Sequence, residues 1–149
     1  MSKQNIYNKT LLRLIDANSN RLKEGLRVLE DIVRFLLNDK KLTRELKSIR
    51  HEFTECLKHS TSAQAVALLK ERKIEKDVGK GSIKTEMLRC TVLDIFLANA
   101  QRVKESIRVL EEFFKLIDKK NAKKLKALRY KVYYLEKCSV EKLIDICNS

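Results

Sequence analysis

Two short runs in this 149-residue chain place an amide, a guanidinium and a carboxylate at one spacing: Asn18, Arg21 and Glu24, and then Asn99, Arg102 and Glu105. On a helix turning about 100° per residue, Asn18 and Arg21 fall inside the apolar arc of Leu22, Gly25, Val28, Leu29, Ile32, Val33 and Leu36. Asn99 and Arg102 share the arc of Val103, Ser106, Val109, Leu110 and Phe113 in the same way. Polar groups on a core-facing side must find partners or water, because an unpaired buried charge is strongly destabilising. Two arrangements satisfy them. One is a pair of intrahelical bridges, Arg21 with Glu24 and Arg102 with Glu105, closing an apolar bundle. The other is a polar pocket between opposed helices, and the repetition favours it, since two related copies would bring both sets of groups together. Guanidinium groups fork onto phosphate oxygens, so such a pocket suits a phosphorylated small molecule.

The elements that must position these residues are themselves repeated. Ala17-Asn18-Ser19-Asn20-Arg21 through Leu29-Glu30-Asp31 returns as Ala98-Asn99-Ala100-Gln101-Arg102 through Leu110-Glu111-Glu112, at an offset of 81 (99 − 18). Leu46-Lys47-Ser48-Ile49-Arg50-His51 returns as Leu125-Lys126-Ala127-Leu128-Arg129-Tyr130, at an offset of 79 (125 − 46). The chain reads as one domain, 1–149, with an internal repeat at roughly 10–59 and 86–138 and a connector over 60–85. Hydrophobic spacing predicts helices from about Tyr7 to Leu37, Lys40 to Lys58 and Ile83 to Ile117, and from Asn121 to Lys137. A short helix ending near Arg72 and a last one capped by Ser139 complete the expectation. The result is an all-α bundle of two pseudo-symmetric hairpins, each a long and a shorter helix, plus short helices. The absence of proline and the presence of only three glycines exclude sandwiches and barrels, which need frequent turn residues.

The other candidates are weaker. Arg50-His51 and Arg129-Tyr130 could extend the pocket from the shorter helices, and Arg27 and Arg108, on the far sides of their helices, fit ion pairing or a second surface better. Tyr130, Tyr133 and Tyr134 read as packing residues against the first hairpin, although rings flanking a heterocycle would have the same spacing. The segment Asp77-Val78-Gly79-Lys80-Gly81-Ser82 offers backbone N–H groups and a carboxylate, Asp77, able to hold Mg²⁺ through water, yet it departs from the phosphate-loop pattern and fits a plain connector equally well. Four scattered cysteines and two histidines argue against zinc. With no leader pattern and no long apolar run, a cytoplasmic protein without a membrane role is expected. The net charge of +13 points to an anionic partner without naming it, and the run Lys119, Lys120, Lys123, Lys124 and Lys126 reads as a solvated face.

Ile15-Asp16-Ala17-Asn18-Ser19-Asn20-Arg21, Lys23 through Asp31, Leu46 through His51, Asp77-Val78-Gly79, Ala98 through Arg102, Glu105 through Glu112 and Arg129 through Glu136 together resemble the all-helical hydroxymethylpyrimidine-phosphate kinase family of thiamine biosynthesis. Such domains stand alone or are fused in front of thiamine-phosphate synthase. The resemblance implies transfer of the ATP γ-phosphoryl to hydroxymethylpyrimidine monophosphate, with Mg²⁺ accompanying the nucleotide and thiamine-phosphate synthase as a partner. It leaves room for an oligomer. It implies Arg21 and Arg102 as phosphate ligands, Glu24 and Glu105 as their orienters or as Mg²⁺ ligands, and Asn18 and Asn99 on the pyrimidine or phosphate, with Asp77 and Gly79 in a closing nucleotide loop. Ser19 stands where the family usually has a larger apolar residue, which implies a local packing change. The βα-barrel of a complete synthase is absent from this sequence. Competing readings are a non-catalytic synthase-associated subunit, a module docking an acidic protein, and a basic nucleic-acid-binding module, the last disfavoured by the lack of a recognition-helix signature or an aromatic stacking platform.

Overall fold

The computed structural model of the chain describes residues 3–61 and 91–147. They form four helices and, among the described residues, no strand: α1 (Lys3–Phe35), α2 (Lys40–Thr61), α3 (Val92–Phe114) and α4 (Lys119–Cys147). The short helix expected after Ser60 and the segment holding Asp77 and Gly79 lie outside the described residues. No helix among the described residues is long and apolar enough to cross a membrane.

Buried Ile15, Leu22, Leu26, Leu29 and Val33 form the core stripe of α1. α1 ends in a tight reversal in which Asn38 takes a left-handed conformation (φ 49°), one that asparagine tolerates better than most residues. Asp39 then caps α2, its Oδ1 accepting from Leu42 N at 2.9 Å. The second hairpin repeats the device: Asp118 Oδ1 accepts from Lys120 N at 2.9 Å and from Asn121 N at 3.2 Å.

Two boundaries differ from expectation. α3 begins at Val92, because Thr91 and Asp94 form a reciprocal capping box that satisfies donors at the helix start. α4 is continuous through Ser139, which sits fully buried inside the helix instead of capping a new one. Leu135 and Leu143, each four residues away, are buried on the same face, so core packing carries the helix onward.

α1 packs on α2 and α3, and α4 packs on the same two helices. Around the bundle the order is therefore α1, α2, α4, α3, and each neighbour is antiparallel. Along α2 and α4, Asp39 meets Lys142, Lys131 Nζ reaches Glu52 at 2.9 Å, and Asn121 Nδ2 donates to the Cys56 carbonyl at 3.1 Å. α1 and α3 approach closely at Gly25, where a Cβ would lie 2.7 Å from Val103 Cγ2 and 3.3 Å from the Asn99 carbonyl oxygen. Only a residue without a side chain leaves room for that contact.

Candidate functional site

The face between α1 and α3 holds a cavity of about 510 Å³ lined by Asn18, Arg21 and Glu24 from one helix and by Arg102, Glu105, Ser106 and Val109 from the other. Both repeats therefore deliver an arginine and a glutamate to one place. Arg21 and Glu24 are exposed at its rim and form no ion pair with each other, so the intrahelical bridge considered for them is not made. Glu105 accepts from Gln101 Nε2 at 2.7 Å. With two guanidinium groups and two carboxylates, the lining is formally neutral.

The asparagines separate. Asn18 is buried against the cavity, and its Nδ2 donates to the Leu14 carbonyl at 2.9 Å. Asn99 makes the corresponding bond to the Ile95 carbonyl at 2.8 Å, but it is not part of the lining. Its carbonyl instead abuts Gly25, so the close approach of the helices uses the backbone of Asn99. Next to Asn18, Ser19 is buried, and its Oγ makes no hydrogen bond among the described residues.

Arg50, His51, Arg129 and Tyr130, expected to extend this pocket, are not in its lining. Arg50 Nε donates to Glu30 Oε2 at 3.2 Å, and Arg129 contacts Glu111 Oε2 through Nε and Nη2, both at 3.0 Å. The hydroxyl of Tyr133 and the Glu111 carboxylate hold the Arg129 guanidinium charged, its pKa raised further by those bonds against the cost of burial. His51 is exposed. Tyr130, Tyr133 and Tyr134 are exposed on α4; Tyr130 and Tyr134 face α2 of the first hairpin across a groove, whereas Tyr133 lies beside Lys104 of α3. Arg27 pairs with Glu30 at 3.7 Å and Arg108 with Glu111 at 3.3 Å, so these two arginines belong to ion pairs.

Glu30 and Glu111 are the residues that sequence reasoning missed. Each is buried and receives two arginines, one from its own helix and one from the other helix of its hairpin. The signal was present, since the acids repeat at an offset of 81 and the arginines of α2 and α4 at 79. Among the described residues no group of three or more histidine, cysteine or acidic side chains could hold a metal ion. Glu24 and Glu105 nevertheless suit an ion whose remaining ligands come from phosphate and water, the usual situation of Mg²⁺ beside a nucleotide.

The ThiD2 family profile matches residues 13–138. Among curated proteins, the chain is 36% identical over 130 residues to a protein named thiamine-phosphate synthase from Rhodopirellula baltica, covering 87% of this chain and 34% of that one. It is 39% identical over 127 residues to proteins of the same name from Thermosynechococcus vestitus and Synechocystis, covering 85% of this chain and 34% and 35% of theirs. The chain thus spans about a third of the length of these relatives. No solved structure matches. With a family profile covering both repeats and both halves of the cavity, this chain belongs to the ThiD2 family.

Proposed function

We propose that the chain transfers the γ-phosphoryl group of ATP to hydroxymethylpyrimidine monophosphate, giving the diphosphate used to make thiamine phosphate, and that the α1/α3 cavity holds the phosphates. The observation carrying this reading is the convergence of Arg21 and Arg102 on one cavity from two repeats, each accompanied by a glutamate. The family match and the relatives named thiamine-phosphate synthase support the thiamine part of this reading.

Phosphoryl transfer asks a protein to position two substrates and offset their charge. Arg21 and Arg102 supply forked donors for phosphate oxygens. Glu24 and Glu105 would hold the Mg²⁺ that travels with ATP, whose chemistry is to neutralise charge on the transferred group. Asn18, at the cavity wall, hydrogen-bonds to the pyrimidine or its phosphate.

The test is direct. Purified chain, with hydroxymethylpyrimidine monophosphate and Mg-ATP and no synthase present, should release ADP and pyrimidine diphosphate in equal amounts. Arg102→Lys, which keeps the charge and loses the fork, should lower kcat/KM by about 100-fold with the melting temperature unchanged. A second reading is favoured by the coverage of only a third of the synthase relatives: a non-catalytic subunit that supports thiamine-phosphate synthase. It wins if no diphosphate forms alone while the chain raises the turnover of added synthase.

A further inference from the structure

The bundle carries a second concavity, a groove of about 480 Å³ between α2 and α4. Given the order of the helices, this is the face opposite the α1/α3 cavity. Buried Ile49 and Leu135 lie at its base, and Tyr130 and Tyr134 stand beside them at 58% and 60% exposure. Tyrosines four apart on one helix share a face.

These rings are held in place. Arg129, fixed by buried Glu111, lies 5.3 Å over the Tyr130 ring and donates through Nη1 to Tyr133 Oη at 2.9 Å. Tyr133 in turn meets Tyr130 edge-on, with centroids 5.6 Å apart and planes at 84°. The Tyr134 hydroxyl is raised above the usual tyrosine value, chiefly by a hydrogen bond with Cys138 and to a lesser degree by burial and the nearby charges of Glu45 and Glu141.

The repeat shows that the bundle does not require this wall. At the offset of 79, Tyr130, Tyr133 and Tyr134 correspond to His51, Thr54 and Glu55. The Glu30–Arg50 pair closes the first hairpin without aromatic rings. In the second hairpin the same pair supports three.

The charge of the groove selects its occupant. Its lining holds Glu45, Glu52 and Lys131, two carboxylates against one ammonium, in a chain of net charge +13. Lys131 is already bound to both oxygens of Glu52 at 2.9 Å. Glu45 makes no ion pair among the described residues, so its carboxylate is an acceptor for a ligand N–H. The one ammonium of the lining is thus neutralised, and the unpaired carboxylate of Glu45 repels a phosphate.

We propose that the α2/α4 groove binds a flat, amino-bearing heteroaromatic ring that carries no phosphate, stacked on Tyr130 and Tyr134 with its amino edge donating to Glu45. Ring stacking is tolerant of ring type, and the carboxylate supplies the selection for an amino group and against an anion. An aminopyrimidine and an adenine nucleoside present the same face and edge. The site does not depend on phosphoryl transfer in the opposite cavity.

Three of the four tyrosines of this tryptophan-free chain are Tyr130, Tyr133 and Tyr134, so tyrosine emission reports on this wall, with calorimetry as the independent measure. The full chain is titrated with thiamine, adenosine, thiamine phosphate and AMP. Thiamine or adenosine should bind saturably and change the emission, and whichever does so identifies the source of the ring. The matching phosphate should bind at least about 10-fold more weakly. Glu45→Gln, a partly exposed substitution that leaves the core untouched, should weaken binding about 10-fold, and Arg102→Lys should leave it unchanged while lowering kinase kcat/KM about 100-fold. Binding of neither ring, equal binding of the phosphates, or wild-type affinity in Glu45→Gln would overturn the proposal.

Discussion

Arg129 binds one oxygen of Glu111 through two nitrogens, Nε and Nη2, each at 3.0 Å, and both side chains are nearly removed from solvent, at 11% and 5% exposure. Arg50 repeats the contact on Glu30 through Nε at 3.2 Å. Each pair ties the two helices of a hairpin together on the inner side of the bundle. A paired charge in such a place adds little stability over an apolar pair, but removing one partner strands the other.

Glu111→Gln should therefore lower the unfolding free energy by about 3 kcal/mol, because Arg129 is left charged and buried. Glu112→Gln is the control. Glu112 is the adjacent acid, bound to Arg108 and Lys115 at the surface, and its loss should cost no more than about 0.5 kcal/mol. Urea denaturation of the two variants decides the matter, and equal effects would show that the buried pair is not special.

Gly25→Ala tests how closely the walls of the cavity must approach. In an exposed helix the change would gain about 1 kcal/mol from propensity. Here the new methyl meets Val103 Cγ2 at 2.7 Å and the Asn99 carbonyl at 3.3 Å. α1 must move away from α3, and the net result should be a loss of about 1–2 kcal/mol. Since Arg21 and Glu24 ride on α1, kcat should fall as well. Val103→Ala removes the nearer clashing atom, so the double variant should lose less than the sum of the two single ones; strict additivity in thermal unfolding would contradict the assigned contact.

The repeat and the paired hairpins were legible because identical residue types return at a constant offset, and because apolar spacing of three and four marks the buried stripe of each helix. The ends of elements were harder to read. Apolar spacing continues upstream of Thr91, so only the Thr91–Asp94 box marks the start of α3. Ser139 has the composition of a cap, and only tertiary packing shows that it lies in mid-helix. For the site, Asn18, Arg21, Glu24, Arg102 and Glu105 share a cavity as the repeat suggested. Arg50 and Arg129 do not join it, because their partners Glu30 and Glu111 lie 20 and 18 residues away in sequence. Local reading pairs a charge with its neighbours three or four positions along, and so it could not find them.

Asp39 couples the first turn to the far end of α4. Its carboxyl is held below the ordinary 3.8, first by the hydrogen bond from Lys142 and then by the Leu42 N–H it caps. A lowered folded-state value means that the contribution is present above the unfolded value and is lost as the pH falls through the folded one. Asp39→Asn keeps a capping oxygen and removes the charge. At neutral pH it should cost less than about 1 kcal/mol, because Lys142 is exposed and the pair is screened. Wild type and variant should converge as the pH falls through the lowered folded-state value. A gap that widens in acid, measured by urea denaturation across the range, would mean that the Lys142 contact does not act through the ionised carboxylate.

The last prediction concerns the acceptor. A phosphate monoester presents an anionic oxygen near neutral pH, so its attack on the γ-phosphoryl of ATP needs no strong general base, and the obstacle is repulsion between two anions. A hydroxyl is the opposite case and benefits from a positioned proton acceptor. The α1/α3 cavity offers Arg21 and Arg102 against that repulsion, and it contains no histidine: His51 is elsewhere, exposed on α2. Its carboxylates, Glu24 and Glu105, are assigned to magnesium. Hydroxymethylpyrimidine monophosphate should therefore be phosphorylated, and the free alcohol should turn over at least about 100-fold more slowly, since it also leaves the arginines without their ligand. Neutralising Lys119, Lys120, Lys123 and Lys124, all exposed on α4, should leave the preference intact, because these lysines lie outside the cavity. ADP release and product formation, compared for the two acceptors at equal concentration with Mg-ATP saturating, give the answer. Equal turnover would show that a general base operates at this site and that the roles given to its arginines and glutamates are wrong.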